Sequence, residues 1–405
     1  MNVEEAEQVE LTVGAVAPGG HCVARHNGQV IFVRHALPGE RVLAEITEVH
    51  TGFLRADAVR VIEASPDRVE PPCPYARPGL CGGCDLQHVA PEAQLRWKAD
   101  VVREQLVRLA RLPEPEIDAL GVRVEALPGG TLGWRSRVRY AVDAADRAGL
   151  LKHRSHEVVP VQRCLIAHPA IQELPVLSGS GARWPQAEAV STVASSTGEV
   201  TVSTLADGTA TVVQGQDEVH EEAAGRRWQV PAEAFWQVHP AAADTLTETV
   251  LTMLAPVEGE RAWDLYGGAG LFAGALADRV GPTGRVTLVE SAEQGVTAAR
   301  ENLGDTPGVE IVAARVETAL ARRRITGPVD LVVLDPPRTG AGAAVVRAVT
   351  GAGPRAVAYV ACDPAAFARD VRTFGEQGWR LAALRGFDLF PMTQHVELVG
   401  LLTPA

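Results

Sequence analysis

Residues 262–272, AWDLYGGAGLF, decide the fold. The stretch opens as an apolar strand, passes an acid at Asp264 and turns through Gly267, Gly268 and Gly270 into a helical run. Glycines in such a turn let the backbone approach a ligand, and the amides at a helix start favour negative groups. Twenty residues past Gly270 the strand RVTLVE ends on Glu290, the usual place for an acid that accepts two ribose hydroxyls. The form Asp264-x-x-x-Gly268-x-Gly270, without Gly-x-Gly-x-x-Gly, points to S-adenosylmethionine over a dinucleotide.

Outward from this turn, strands alternate with helices from about residue 228 onward: VEIVAA, VDLVVLDPP, AVAYVACDP and HVELVGLL follow, each after a helical segment. That alternation predicts an α/β Rossmann-like domain over 226–405, a doubly wound parallel sheet with helices on both faces. Two of these strands end in chemistry. Asp335-Pro336-Pro337-Arg338 stops one strand at its carboxyl end, where open α/β sheets place their ligands, so Asp335 can meet a cationic cofactor group or a substrate base. Cys362-Asp363-Pro364 stops another; it is either a small buried hydrophobe or a thiol nucleophile that needs a proton acceptor.

Toward the N-terminus, residues 1–64 carry period-two strands split by turn signals such as Asn27-Gly28 and Pro38-Gly39, a small β-barrel of oligonucleotide-binding type or a plain β-rich module. Residues 65–225 read as a central β-rich domain, with one helix over 92–112 ended by Pro113 and a hairpin around Asp207-Gly208. It begins with a Pro-, Cys- and Gly-rich stretch that holds Cys73, Cys81 and Cys84; Cys164 lies eighty residues on. Three clustered thiols plus a distant fourth suit zinc or an iron–sulfur cluster, and the asymmetric spacing favours the cluster. In Trp134–Tyr140 strict alternation puts Arg135, Arg137 and Arg139 on one strand face, which suits a phosphate backbone or a solvated surface.

The composition pulls the other way. The net charge is −12, and of 38 basic residues only Lys98 and Lys152 are lysine. Such a balance argues against a generic nucleic-acid binder. Residues 96–163, however, hold 13 basic against 9 acidic residues. A limited basic face predicts recognition of a folded RNA loop more than binding by bulk charge. Without a basic leader or an apolar run of spanning length, the sequence predicts a cytoplasmic protein with no membrane partner.

Together the motifs resemble the RNA uracil-5-methyltransferase family, in particular its iron–sulfur members that modify ribosomal RNA or tRNA. FWQVHP (235–240), DLYGGAGLF, DPPRTG, YVACDP and the near-terminal HVE carry the resemblance, which covers nearly the whole chain. It implies a TRAM domain for the N-terminal barrel, a [4Fe–4S] site for Cys73, Cys81, Cys84 and Cys164, and a monomer acting on rRNA or tRNA. It further implies that Cys362 is the nucleophile and Glu397 the general base. Gln237, Tyr266, Gly268, Gly270, Glu290 and Asp335 then fall where the family contacts S-adenosylmethionine or the flipped uridine, and the helix at 92–112 packs on the catalytic domain. Cys73 and Cys81 stand further apart than is usual there, while Leu271 and Arg315 replace residues that often line the adenosine site. A methyltransferase for another RNA base, or a non-catalytic RNA-folding factor that keeps the fold, are the competing expectations.

Overall fold

Turn chemistry and alternation build the N-terminal sheet. Six strands (Gln8–Thr12, Val16–Ala17, His21–His26, Gln29–Arg34, Arg41–Val49 and Leu54–Glu63) form one sheet in the computed structural model, which describes residues 6–405. Asn27 and Gly28 both have positive φ, as a two-residue hairpin turn requires. Alternate residues of Arg41–Val49 point inward, so Val42, Ala44 and Ile46 meet Ile31, Val33 and Leu54 in an apolar core that also buries Cys22.

The irregular segment 65–90 leads into helix α1 (Pro91–Gln105), where Pro91 pre-sets the first turn. The helix does not run as a regular α-helix to 112: Leu106–Ala110 widens into a π-turn and Arg111 closes it at φ 59°. Val102 and Leu106 pack into the same apolar cluster as Phe367 and Phe374, far along the chain. A second six-stranded sheet lies between residues 137 and 214, with Arg137–Val142 beside Ala189–Ala194. Its hairpin turns at Asp207-Gly208, both with positive φ.

The third sheet has eight strands: β1 (Val124–Ala126), β2 (Arg261–Leu265), β3 (Arg285–Glu290), β4 (Val309–Ala313), β5 (Leu331–Leu334), β6 (Ala356–Ala361), β7 (Trp379–Asp388) and β8 (Glu397–Pro404), in the order β4-β3-β2-β5-β6-β8-β7-β1. β2 to β6 pair in parallel, and β8 enters antiparallel between β6 and β7. Two apolar clusters cover its faces. One takes α2 (Ala242–Leu254) and α3 (Leu271–Val280); the other takes α5 (Gly342–Ala352) and α6 (Pro364–Glu376), with α4 (Glu293–Leu303) joining the first. This is the α/β architecture expected from the alternation.

The sheet also recruits residues from before 226. β1 pairs with β7, and the hairpin Glu218–Ala223/Arg226–Pro231 buries Trp228 and Val230 in the first cluster. Asn302 of α4 fastens that hairpin by accepting from Gln229 N at 2.8 Å and donating to Gln229 O at 2.9 Å. Among the described residues no helix is long and apolar enough to cross a membrane.

Candidate active site

The carboxyl ends of β2, β3, β5 and β6 converge on one edge. After β2 the chain turns through Tyr266 at φ 68°, Gly268 at 53° and Gly270 at 97°. A Cβ at Gly270 would stand 2.5 Å from Leu303, so only glycine satisfies both the space and the backbone there. Glu290 accepts from the amides of Gly268 at 2.9 Å, Ser291 at 2.5 Å and Ala292 at 2.6 Å, which holds its carboxylate against the glycine turn. Tyr266 Oη donates to Glu317 at 3.3 Å, two residues beyond the exposed Arg315.

Asp264 and Asp335 are the charged floor of this edge. Asp264 is fully buried; one carboxylate oxygen accepts from Ala273 N at 2.8 Å, while the other has no partner. Burial, with Asp335 and Glu290 nearby, pushes it up to about 7. Burial and Glu290 push Asp335 up to about 7 as well. Acids this strained by desolvation and mutual repulsion attract a cation. Behind Asp335, Asp370 of α6 anchors the following loop, accepting from Tyr359 Oη at 2.6 Å and Ala341 N at 2.8 Å.

The antiparallel insertion of β8 brings Cys362 and Glu397 together. Ala361 pairs with Leu398, so one step further along the register Cys362 faces Glu397. Cys362 is half-buried; burial and the Glu397 carboxyl, partly offset by Arg338, push its thiol up to about 11. Burial, then Asp335, pushes Glu397 well above the usual carboxylate range, and Arg338 pulls it back. Asp363 is a helix cap, accepting from Ala366 N at 2.7 Å. His395, kept neutral by burial and by nearby cations, stands 5.9 Å from the Phe390 ring; Trp134 packs on Phe390 and on His239 to extend the wall. Gln237 lies half-buried in the same chain segment as the widely exposed Phe235.

The four cysteines from the central region line one small cavity of about 20 Å³ with Arg135 and no carboxylate. Gly83 N donates to Cys81 Sγ at 3.4 Å, and a Cβ on Gly82 would stand 2.4 Å from His153 N. Burial raises the Cys81 thiol to about 11 and pushes Cys84 and Cys164 up too. Among the described residues no group of three or more His, Cys, Asp or Glu side chains stands ready to hold a metal ion.

Residues 2–59 match the TRAM domain model, and residues 186–404 match the model described as tRNA (Uracil-5-)-methyltransferase. The chain belongs to the tRNA (uracil-5-)-methyltransferase family. A Streptomyces avermitilis protein described as an uncharacterized RNA methyltransferase is 48% identical, over 98% of this chain and 99% of the relative. A Corynebacterium diphtheriae relative with the same description is 35% identical over 99% and 98%. The crystal structure of Pyrococcus abyssi tRNA (uracil-54, C5)-methyltransferase in complex with S-adenosyl-L-homocysteine shares the fold, with TM-score 0.72 and 22% identity over 97% of this chain and 99% of that one. The protein is an RNA methyltransferase of the uracil-5 family, S-adenosylmethionine-dependent by fold.

For this family member the arginine row needs correction. Only Arg137 and Arg139 lie in the strand; Arg137 is covered and Arg139 is exposed. Arg137 is nearly buried, donating to the carbonyls of Ala232 and Ala234 and to Glu221 at 3.1 Å. Glu233 takes Arg139 at 3.1 Å. Arg135 lines the cysteine cavity instead. The acids of the 218–233 segment neutralise the strand, and no local pattern in 134–140 could announce them. What sequence reading passed over is a groove lined by Arg139, Lys152, His153, Arg154 and His156, beside Gly82 and Gly83, whose cations pair at its rim with Glu233, Glu157 and Glu48. It adjoins a second groove that takes in Arg55 and Arg34 of the N-terminal sheet. Clustering of His153, Arg154 and His156 around Lys152 was the available signal.

Proposed function

We propose that the protein transfers a methyl group from S-adenosylmethionine to carbon 5 of a uridine in rRNA or tRNA through a covalent Cys362 adduct. The observation that carries this reading is the register that sets Cys362 opposite Glu397 at the edge that also holds Asp335. Carbon 5 of uracil is a weak nucleophile. Addition of the Cys362 thiolate to carbon 6 turns it into an enolate that attacks the methyl carbon, and the sulfonium sulfur leaves as a neutral thioether. Glu397 then takes the carbon-5 proton; that C–H electron pair restores the 5,6 double bond and expels the thiolate. Its raised proton affinity suits the task. The glycine turn, Glu290, Tyr266 and Gln237 would hold the cofactor and the flipped base, with the acids Asp264 and Asp335 facing the sulfonium side.

Cys73, Cys81, Cys84 and Cys164 fit a thiophilic group by chemistry: four sulfurs, mostly apolar walls, two arginines (Arg135 and Arg163) and no carboxylate. We assign them a [4Fe–4S] cluster, with zinc as the competing occupant; a coloured protein when purified without air supports the cluster and a colourless zinc protein supports the other. The groove of Arg139, Lys152 and Arg154 is the track for the RNA phosphates, which would replace the glutamates now paired with these cations. The deciding experiment maps 5-methyluridine in rRNA and tRNA with the gene intact and with Cys362→Ala in its place. The mark should vanish, by roughly 10³-fold or more in a purified assay; normal methylation by Cys362→Ala would sink the reading.

A further inference from the structure

Glu397 follows a loop, residues 389–396, whose shape is imposed from elsewhere in the chain. Its own bonds are few: Thr393 closes a turn on Phe390 O, and His395 N donates to Thr393 Oγ1 at 3.3 Å. At its centre Met392 has φ 69°, a left-handed backbone that side chains other than glycine resist. Both polar groups of Met392 are captured by residues three hundred positions away. Met392 N donates to Gln94 Oε1 at 2.9 Å, and Met392 O accepts from Leu86 N at 2.9 Å.

Gln94 is fully buried on α1, and its Nε2 donates to Leu86 O at 3.1 Å and Val89 O at 2.9 Å. One side chain thus ties α1, the cysteine segment and Met392 into a single joint. Flanking bonds brace it: Lys98 Nζ donates to Phe390 O at 3.2 Å and pairs with Asp388, and Gln394 N donates to Asp85 at 3.3 Å.

We infer that Gln94 is a positioning residue for Glu397, and that the cysteine segment forms the other jaw of the clamp that sets where the base enters the site. The inference rests on the reading of Glu397 as the base. Leu86 lies two residues past Cys84, so order in the cysteine segment reaches the base through the Leu86–Met392 bond. That assigns the cysteine segment a positional part in methylation.

The test is Gln94→Leu in the full chain, read by amide exchange over residues 390–396 and by single-turnover methylation with methyl transfer and adduct release followed separately. Exchange should quicken and release should slow by about 10²-fold, with RNA adduct accumulating and cofactor affinity unchanged. Should Gln94→Leu fail to fold, Gln94→Glu keeps the acceptor for Met392 N and gives up the donors; it is read the same way, with a smaller delay. Unchanged exchange with unchanged release overturns the clamp, as does a loss of cofactor affinity matching the loss of release. Wild-type protein that forms no 5-methyluridine overturns the reading of Glu397 instead, and leaves the exchange result to be judged alone.

Discussion

Cys362 and the set of Cys73, Cys81, Cys84 and Cys164 stand in different surroundings. Cys362 and Cys81 are both pushed up to about 11, in each case chiefly by burial. The next influence differs. Cys362 faces a carboxyl, Glu397, with the Arg338 guanidinium opposing it; Cys81 faces the Gly83 amide and the sulfurs of Cys164 and Cys73. A lone thiol beside an acid has a proton partner and an open edge of the sheet. Thiols that line one cavity with no acid in its walls have one another as neighbours and no proton acceptor there. Burial alone says nothing about role; the neighbours do.

The strongest way to break the comparison is to remove the acid from the first group only. Glu397→Gln should allow methyl transfer and then stall, cutting turnover by about 10²–10⁴-fold and leaving a covalent RNA–protein band on a denaturing gel. A freely turning-over Glu397→Gln would reduce Cys362 to the same description as Cys81.

A pH series comes next in size. A thiol held near 11 is protonated at neutral pH, so the reactive thiolate grows about tenfold for each pH unit below that value. Single-turnover methylation, and alkylation of Cys362 by a small electrophile, should therefore rise from pH 7 toward 9. Bound S-adenosylmethionine, a cation beside Asp335, should shift the alkylation curve to lower pH, whereas neutral S-adenosylhomocysteine should not. Superimposable curves with the two ligands would show that the sulfonium does not reach the acids.

The smallest change lies between the two groups. Lys152→Glu sits in the groove beside Gly82 and touches neither Cys362 nor Glu397. It should raise KM for RNA, lower the slope of log affinity against log salt by about 1, and leave kcat alone. A kcat defect would place Lys152 in the reaction, not along the RNA track.

Much of the reacting edge was legible from sequence because its signals are local. Apolar strands that stop at Asp335-Pro-Pro and Cys362-Asp-Pro announce their own ends, and the glycines between Asp264 and Leu271 announce a close approach. Other features depend on partners more than eighty residues away. Nothing near Lys98 foretells its burial against Asp388, and nothing near Arg137 foretells Glu221. β1 is three residues long and joins the edge of a sheet whose other strands begin at 261. The 106–110 π-turn is likewise set by packing on α6, since its residues have ordinary helical composition.

The placement of β8 bears on how the protein comes to be folded. β2, β3 and β4 pair in turn, whereas β5 returns to lie beside β2; β8 pairs locally with β7 across loop 389–396, and that pair must dock on β6 to complete the sheet. A molecule halted before that step would own the cofactor turn and the thiol yet lack the proton acceptor. The edge that receives this strand pair is therefore also the edge that completes the pairing of Cys362 with Glu397.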